Sequence, residues 1–244
     1  MSRAKSLRAR KTPFSLLGRG CSMLRAIWRS FLEKHFSRGG IFHTTKNYSR
    51  RVQVLDQQST EKLILNIGAG GYRYFKRSVN VDPYRVRPGD IQAFGESLPF
   101  VDEVFDIIYC CAVLEHVPQP EVIIQEMYRV LKWGGHIYVE IPFLQPVHAA
   151  PRDYTRVTLQ GIRNWFKMFH ILEAGVCVGP GSTVTWILVE YVQLFFGSPF
   201  TKKMSKFLTQ IALFPLKYLD RWLIEREDAH VLASGFFLYG VKAC

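Results

Sequence analysis

A glycine-rich turn follows the first predicted strand and is the first feature that suggests ligand chemistry. Residues 65–71 read Leu-Asn-Ile-Gly-Ala-Gly-Gly, and such a turn needs glycines when a ligand must approach the backbone closely. At the end of the next predicted strand, Asp82 can accept hydrogen bonds from the two hydroxyls of a ribose. Since Asp82 precedes Pro83, its alternative role is to form a turn. The dinucleotide pattern GxGxxG is not met, because Arg73 stands where the third glycine belongs.

The apolar pattern predicts the elements that must position these residues. Short apolar runs alternate with helical segments, which is typical of an α/β sheet. Helices are predicted over residues 120–132, ending at Gly134-Gly135, and over residues 158–169, with Thr158 as the N-cap. Further helical patterns fill residues 180–230. The predicted strands span residues 63–67, 78–81, 90–93, 105–110, 136–141, 171–178 and 235–241.

The positive charge of the chain is concentrated at its N-terminus. The 244 residues carry a net charge of +12, and residues 1–51 hold thirteen Lys and Arg against the single acid Glu33. The rest of the chain is therefore neutral, and no nucleic-acid partner is expected. Apolar residues between Leu24 and Phe36 recur at helical spacing, which predicts a basic amphipathic arm. An anionic membrane surface is its expected partner; a helix packed on its own domain and, less favoured, an organelle transit peptide are the alternatives.

Composition excludes several other classes of protein. With 48% hydrophobic residues, the chain can form one full-sized domain and is not disordered as a whole. The five cysteines are odd in number and no Cys/His cluster has zinc spacing, so neither a disulfide scaffold nor a metal site is predicted. No apolar run is long enough to span a bilayer, and no secretory signal is evident. A cytoplasmic protein, peripheral at the inner face of the cell membrane, is expected.

Several short motifs follow the glycine turn in a fixed order, and together they resemble the class I S-adenosylmethionine-dependent methyltransferases. The similar group is methyltransferase type 11-like: its loop after the fourth strand reads VLEHV and its next helix ends RVLKPGG. The resemblance covers residues 62–178, and residues 142–158 resemble a bacterial subgroup associated with cell-surface glycan synthesis. The motifs are Asp90-Ile91-Gln92-Ala93, Glu96-Ser97-Leu98-Pro99-Phe100, Phe105-Asp106-Ile107-Ile108-Tyr109-Cys110, Val113-Leu114-Glu115-His116-Val117-Pro118 and Arg129-Val130-Leu131-Lys132-Trp133-Gly134-Gly135.

The resemblance implies a Rossmann-like α/β fold with a seven-stranded, mostly parallel sheet, helices on both faces and a helical insertion before the last strand. With the basic arm over residues 1–51, the remaining residues 52–244 form the expected methyltransferase domain, with the insertion at 180–230. S-adenosylmethionine would lie across the carboxyl ends of strands one, two and four. The implied cofactor-binding residues are Gly68 and Gly70 at the methionine part, Asp82 at the ribose, Glu96, Ser97 and Leu98 near the adenine, and Cys110 and Cys111 beside the sulfonium.

Three features depart from the family's pattern. Asn66 stands where many members have an acid, and the glycines read GAGG instead of GxGxG. The spacing from the turn to Asp82 leaves little room for the usual first helix. Phe94 stands where an Asp often contacts the adenine, so adenine recognition is expected to use stacking and backbone groups. These departures keep a catalytically inactive methyltransferase-like scaffold open as an alternative; a nicotinamide-dependent oxidoreductase is a less favoured one.

Methyl transfer needs little chemistry from the protein beyond alignment, because the sulfonium already makes the methyl group electrophilic. A hydroxyl acceptor must also lose its proton, which a histidine or carboxylate within hydrogen-bond reach can take. The catalytic candidates are His116 and His148, with Glu115, Asp153 and Tyr154 behind them. Alternatively, Glu115 and His116 only cap their loop, and Asp153 only pairs with Arg152 or Arg156.

The apolar segment 180–230 is longer than the connection usually found at that place in the fold. A connection of this length inside a compact domain is usually functional. One hypothesis is that it walls the acceptor site and admits a lipid-linked glycan or another small acceptor from the membrane. The other is that it forms a helical pair that extends the core.

Overall fold

The described part of the chain comprises residues 61–71, 75, 78–84, 86–149 and 151–243 of the computed structural model. The predicted arm, residues 1–51, lies outside these residues, as does Arg73. No helix within the described ranges is long and apolar enough to cross a membrane.

The centre of the structure is a mixed β-sheet, with six strands among the described residues in the order β2-β1-β3-β4-β6-β5. The first four strands of this order are parallel, whereas β6 runs antiparallel to both β4 and β5. The carboxyl ends of β1, β2 and β3 therefore share one edge, where α/β sheets place their ligands. The strands are β1 Ile64–Ile67, β2 Val79–Val81, β3 Phe105–Cys111, β4 Leu131–Pro142, β5 His170–Val178 and β6 Gly235–Val241.

The strand predicted at residues 90–93 does not form, and this prediction was wrong. Ile91 instead makes an isolated bridge to Val81, in which its amide donates to the Asn80 carbonyl at 2.8 Å. Asp90 is committed to a turn, because its carboxylate accepts a hydrogen bond from the Arg87 amide at 2.9 Å. This turn prevents a longer pairing, so the seven-stranded, mostly parallel sheet is not confirmed.

Side chains alternate between the two faces of the sheet and form a separate cluster on each. Ile123 and Met127 of the first helix and Ile162 of the second pack on the face that carries Ile108. The opposite face has a stack of aromatic rings, with Tyr138 lying 5.6 Å from Tyr109 and 6.0 Å from Phe237 between ring centres. The helices are α1 Pro120–Val130, α2 Leu159–Trp165, α3 Pro180–Gln193, α4 Pro199–Leu213 and α5 Asp220–Leu223, with 3₁₀ turns at Leu114–His116, Phe214–Leu219 and Glu227–Leu232.

Helix α1 ends at Val130, earlier than the glycine pair predicted. Gly134 has a φ of +74° but lies within β4 instead of capping the helix. The early end has a tertiary cause: the buried ammonium of Lys242 donates to the carbonyls of Tyr128 and Leu131 at 2.9 and 2.8 Å. A cation from a distant part of the chain thus satisfies carbonyls that a helix terminus leaves open.

The predicted helical insertion before the last strand is present, and a buried aspartate joins its two ends. The Asp220 carboxylate accepts hydrogen bonds from the amides of Gly181 and Ser182 at 2.6 and 2.9 Å. It also accepts one from the Ser182 hydroxyl at 2.7 Å. Asp220 therefore caps the amino end of α3 with a negative charge, which the unpaired amides of a helix start favour.

Candidate active site

The glycine turn after β1 is tightly held between two neighbouring elements. The amides of Gly68 and Ala69 donate to the Val81 carbonyl at 2.8 and 3.2 Å, which ties the turn to β2. Gly68 has a φ of +68°, and a Cβ there would lie 2.2 Å from Cγ2 of Val113, in the loop after β3. Both the left-handed backbone and the lack of space thus exclude a side chain at position 68.

Asp82 closes the turn from the end of β2. Its carboxylate accepts a hydrogen bond from the Gly70 amide at 2.7 Å and one from the Tyr84 amide at 2.8 Å. The second bond, to the amide two residues on, gives Asp82 the turn-forming role that was the alternative prediction. A carboxylate has about four lone-pair sites, so it can accept several hydrogen bonds at once.

A chain of polar side chains lies between β1, β2 and the loop that follows. The Asn66 amide donates to Oδ1 of Asn80 at 3.0 Å, and the Asn80 amide donates to Oδ1 of Asp90 at 3.1 Å. An ionised acid in place of Asn66 would be unable to donate this hydrogen bond. The amide at position 66, a departure from the family's pattern, therefore fits the local hydrogen bonding.

The region expected near the adenine contains an exposed aromatic pair. Phe94 and Tyr84 meet edge to face, with 6.0 Å between ring centres, and both are more than half exposed. Glu96 and Ser97 follow in a turn. Glu96 is partly exposed and Ser97 is exposed. Leu98, by contrast, is buried in the core, and its amide donates to the Glu126 carboxylate at 2.9 Å.

The two cysteines at the end of β3 point to opposite faces of the sheet. Cys110 is buried in the cluster that contains α1, and Cys111 packs against the cluster on the other face. Burial raises the pKa of both thiols above the ordinary value, so both are neutral at physiological pH. Next along the chain, Ala112 has a φ of +54°, a strained conformation of the kind that clusters at ligand sites.

The structure brings Glu115, His116 and His148 together; we call them the Glu115 cluster. Nε2 of His116 lies 3.6 Å and Nε2 of His148 lies 3.7 Å from Oε1 of Glu115. Glu115 is fully buried, and neither of its carboxyl oxygens has a hydrogen-bond partner among the described residues. The adjacent carboxylate raises the pKa of His148. The two predicted catalytic histidines thus share one site.

Asp153 supports this cluster from the segment after β4. Its carboxylate binds the Arg156 guanidinium and accepts a hydrogen bond from the His148 amide at 2.8 Å. Arg156 lowers the pKa of Asp153 to about 2. Asp153 therefore pairs with an arginine, as the alternative interpretation predicted. It also positions the His148 backbone. Tyr154 is half exposed, and its amide donates to the Glu115 carbonyl at 2.7 Å.

Two residues near the Glu115 cluster were not predicted from the sequence as site residues. Trp186 of α3 packs on His148, with 5.7 Å between ring centres. Glu140, near the end of β4, accepts a hydrogen bond from the Tyr138 hydroxyl at 2.6 Å, and burial raises the pKa of Glu140 to about 7. An acid inside an apolar strand was the available signal for Glu140, whereas the sequence contains no comparable signal for Trp186.

A cavity of about 570 Å³ opens between the segment after β4 and the helical insertion. Pro146 lines it and also contacts the cluster, since its carbonyl lies 3.2 Å from Nδ1 of His148. This volume lies within the range of small-molecule sites. Further lining residues are Phe143, Leu144, Ile187, Tyr191, Leu194 and Lys202.

Comparisons with known proteins agree with this architecture. Residues 55–139 match the sequence model of the methyltransferase domain family. A ubiquinone biosynthesis O-methyltransferase of Pseudomonas putida is 36% identical over 63 residues, or 26% of this chain and 24% of the relative. A ubiquinone/menaquinone biosynthesis C-methyltransferase of Klebsiella pneumoniae is 38% identical over 68 residues, 27% of each chain. The chain thus spans about a quarter of the length of these relatives.

A solved structure extends the similarity to the whole fold. It is that of a proposed sarcosine dimethylglycine methyltransferase from Galdieria sulphuraria, with a TM-score of 0.54 and 13% identity over 88% of this chain and 97% of the other. At this identity the likeness concerns the fold, which is the Rossmann-like α/β fold expected from the sequence. The family match supports a methyltransferase domain with S-adenosylmethionine as its cofactor. One relative is named as an O- and the other as a C-methyltransferase.

Proposed function

We propose that this chain is an S-adenosylmethionine-dependent methyltransferase that acts on a hydroxyl of a glycan or of a lipid-linked intermediate. The observation that carries the proposal is the glycine turn closed by Asp82, which lies inside the segment that matches the methyltransferase domain. The glycine turn and Asp82 stand at the carboxyl ends of β1 and β2, which is where a cofactor with a ribose binds in such sheets.

The residues at the strand ends have separate roles in this proposal. When bound, S-adenosylmethionine supplies a methyl group that its sulfonium makes electrophilic. Gly68 and Gly70 shape the turn at the methionine part of the cofactor, and Asp82 accepts hydrogen bonds from the ribose. The exposed Tyr84–Phe94 pair offers aromatic surface for the adenine.

The acceptor side is assigned to the Glu115 cluster, because it follows β3 directly and touches the 570 Å³ cavity through Pro146. Either His116 or His148 withdraws the single proton of the acceptor hydroxyl, a task that histidine performs most often in proteins. Asp153 and Trp186 position His148 through its amide and its ring.

A lipid-linked acceptor is favoured by the surface of the insertion. Leu194, Phe195 and Phe200 are each at least 70% exposed, and the exposed Lys202 and Lys203 follow them in α4. Apolar side chains bordered by lysines are typical of helices that lie at a membrane interface. Leu194 and Lys202 also line the cavity, so the cavity opens at this surface.

Calorimetric titration of the full chain tests the cofactor assignment. We expect saturable binding of S-adenosylmethionine and S-adenosylhomocysteine and none of NAD. Binding of NAD alone would favour the nicotinamide-dependent alternative, and binding of none of the three would favour the inactive scaffold. Mass spectrometry of lipid and glycan extracts, with and without the gene, then identifies the acceptor by a mass difference of one methyl group.

The basic arm is proposed to attract the protein to anionic membranes. Each Lys or Arg near such a surface contributes about 1 kcal/mol. Co-sedimentation of the full chain, and of a chain that begins at Gln53, with vesicles containing phosphatidylserine measures this contribution. Weaker sedimentation of the shorter chain is expected, and equal sedimentation would contradict the proposal.

A further inference from the structure

The Glu115 carboxylate has an unusual environment for a fully buried acid. Both of its oxygens lack hydrogen-bond partners among the described residues. Burial of an ionised carboxylate without compensation is costly, and proteins normally pair such a charge or use it to bind a metal. Something positive is therefore expected next to Glu115.

The two imidazoles lie at ion-pair distance from this carboxylate but form no hydrogen bond with it. Their Nε2 atoms lie 3.6 and 3.7 Å from Oε1 of Glu115, which is too long for a charge-assisted hydrogen bond. Tetrahedral coordination with ligands about 2.0–2.2 Å from a metal places the ligand atoms roughly 3.3–3.6 Å apart. The observed separations are close to this range, and all three ligand atoms lie within 4.8 Å of one another.

The other ring nitrogens are held as those of metal-binding histidines usually are. Nδ1 of His116 lies 2.6 Å from the Arg152 carbonyl, and Nδ1 of His148 lies 3.2 Å from the Pro146 carbonyl. A proton on each Nδ1 satisfies these carbonyls and leaves the Nε2 lone pairs directed at Glu115. Nη2 of Arg156 also lies 3.3 Å from Nδ1 of His148, but its two hydrogens have other acceptors, the Asp153 carboxylate at 2.6 Å and the Pro146 carbonyl at 3.3 Å.

From this arrangement we propose that Glu115, His116 and His148 bind a divalent transition-metal cation of the Zn²⁺, Mn²⁺ or Fe²⁺ class. Two imidazoles and one carboxylate suit these borderline cations and leave at least one coordination position open. The histidine side chains are 13% and 17% exposed whereas Glu115 is closed off, so the open position faces outward. An acceptor oxygen, from a hydroxyl or a carboxylate, fits that position.

This inference deepens the proposed function, because a cation would make the two histidines ligands instead of free bases. A metal-bound hydroxyl loses its proton to water more readily than a free one does, since the cation stabilises the alkoxide. The role in methyl transfer thus rests on the proposed function, whereas binding of the cation does not. The two are therefore tested separately.

The test uses the full chain, freed of metal with a chelator and titrated with ZnCl₂ and with CoCl₂. We expect one tight site per chain. Loss of a residue that only supports a metal ligand lowers metal affinity by roughly 10–100-fold. Glu115→Gln and His148→Asn each remove a ligand itself, so each should lower the metal affinity by more than this. Glu121→Gln and His230→Asn, at exposed positions away from the cluster, are matched controls and should bind as the unaltered chain does.

The absorption spectrum of the Co²⁺ form excludes binding to the cysteines. The proposed ligands contain no sulfur, so no thiolate-to-cobalt charge-transfer band is expected. Such a band, no saturable site, or equal affinity in the Glu115→Gln and His148→Asn variants would overturn the inference. S-adenosylmethionine binding by the same variants shows that they are folded. In the unaltered chain, S-adenosylmethionine binding without a saturable metal site would overturn the cation alone, whereas a metal site without S-adenosylmethionine binding would overturn the proposed function alone.

Discussion

The indole ring of Trp186 lies 5.7 Å from the imidazole ring of His148, between ring centres, and is tilted by 38° against it. This contact joins the helical insertion to the Glu115 cluster, because Trp186 belongs to α3. Asp220 fixes the start of the same helix. The insertion therefore contributes Trp186 to the candidate active site, in addition to the exposed surface that borders the cavity.

Asp220→Asn is expected to destabilise the insertion and leave the cofactor site intact. The change removes the charge that caps α3 and places an amide where three donors converge. Loss of a helix cap costs about 0.5–2 kcal/mol, measured as the free energy of unfolding in urea. Asp228→Asn, at an exposed site, is the control. A lower affinity for S-adenosylmethionine in the folded Asp220 variant would show that the cofactor site depends on the insertion, which contradicts this prediction.

Asp82→Asn is expected to weaken S-adenosylmethionine binding by about 10- to 100-fold, because loss of charge-assisted hydrogen bonds costs roughly 1.5–3 kcal/mol. Asparagine retains one acceptor for the turn, so the variant should remain folded. Asp82→Ala should in addition lose stability, since both the Gly70 and Tyr84 amides lose their acceptor. Calorimetry and urea unfolding measure the two effects, and unchanged affinity in folded Asp82→Asn would remove Asp82 from the cofactor site.

Gly68→Ala should destabilise the turn for two reasons that can be separated. The added Cβ would meet Val113, and the residue would have to hold a left-handed backbone, which costs roughly 1–2 kcal/mol. The double variant Gly68→Ala/Val113→Ala removes the contact and should recover only part of the lost stability. Val113→Ala alone is the control. Full recovery in the double variant would show that the backbone is not strained.

Phe195→Gln combined with Phe200→Gln should reduce binding to lipid vesicles by about tenfold or more, because burial of one such ring is worth about 1.5–3 kcal/mol. Both rings are exposed, so stability and S-adenosylmethionine affinity should not change. Val101→Gln, an equally exposed apolar site outside the insertion, is the control. If the double variant loses thermal stability as well, the two rings belong to the core and the lipid-facing role is wrong.

The pairing of Glu126 with Arg129 predicts a pH-dependent part of the stability. Arg129 lowers the pKa of Glu126, and the guanidinium also donates to the carbonyls of Leu98 and Phe100. Because the folded-state pKa is depressed, this stability is present above the unfolded pKa of about 4.5 and is lost as the pH falls through the lower folded value. Urea unfolding of Glu126→Gln should show a smaller loss below pH 4.5 than the unaltered chain. Parallel curves for the two proteins would contradict this prediction.

Much of the fold was predictable because its signals are local. Alternating and continuous apolar runs indicated strands at residues 105–110 and 235–241, and helical spacing indicated the start of α1. Thr158 acts as the expected N-cap, since its hydroxyl accepts a hydrogen bond from the Gly161 amide. The errors arose where distant residues compete with a local signal: Lys242 ends α1 before the glycine pair, and the Arg87–Asp90 turn replaces a strand.

By itself, the sequence determined the order of the elements, the glycine turn, the position of Asp82 and the insertion, because each depends on neighbouring residues. Only the tertiary structure decided that Glu115 meets His148, that Trp186 packs on His148 and that Leu98 belongs to the core. These contacts join residues far apart in the chain. No local periodicity encodes them, since they form only when β3, the segment after β4 and the insertion pack together.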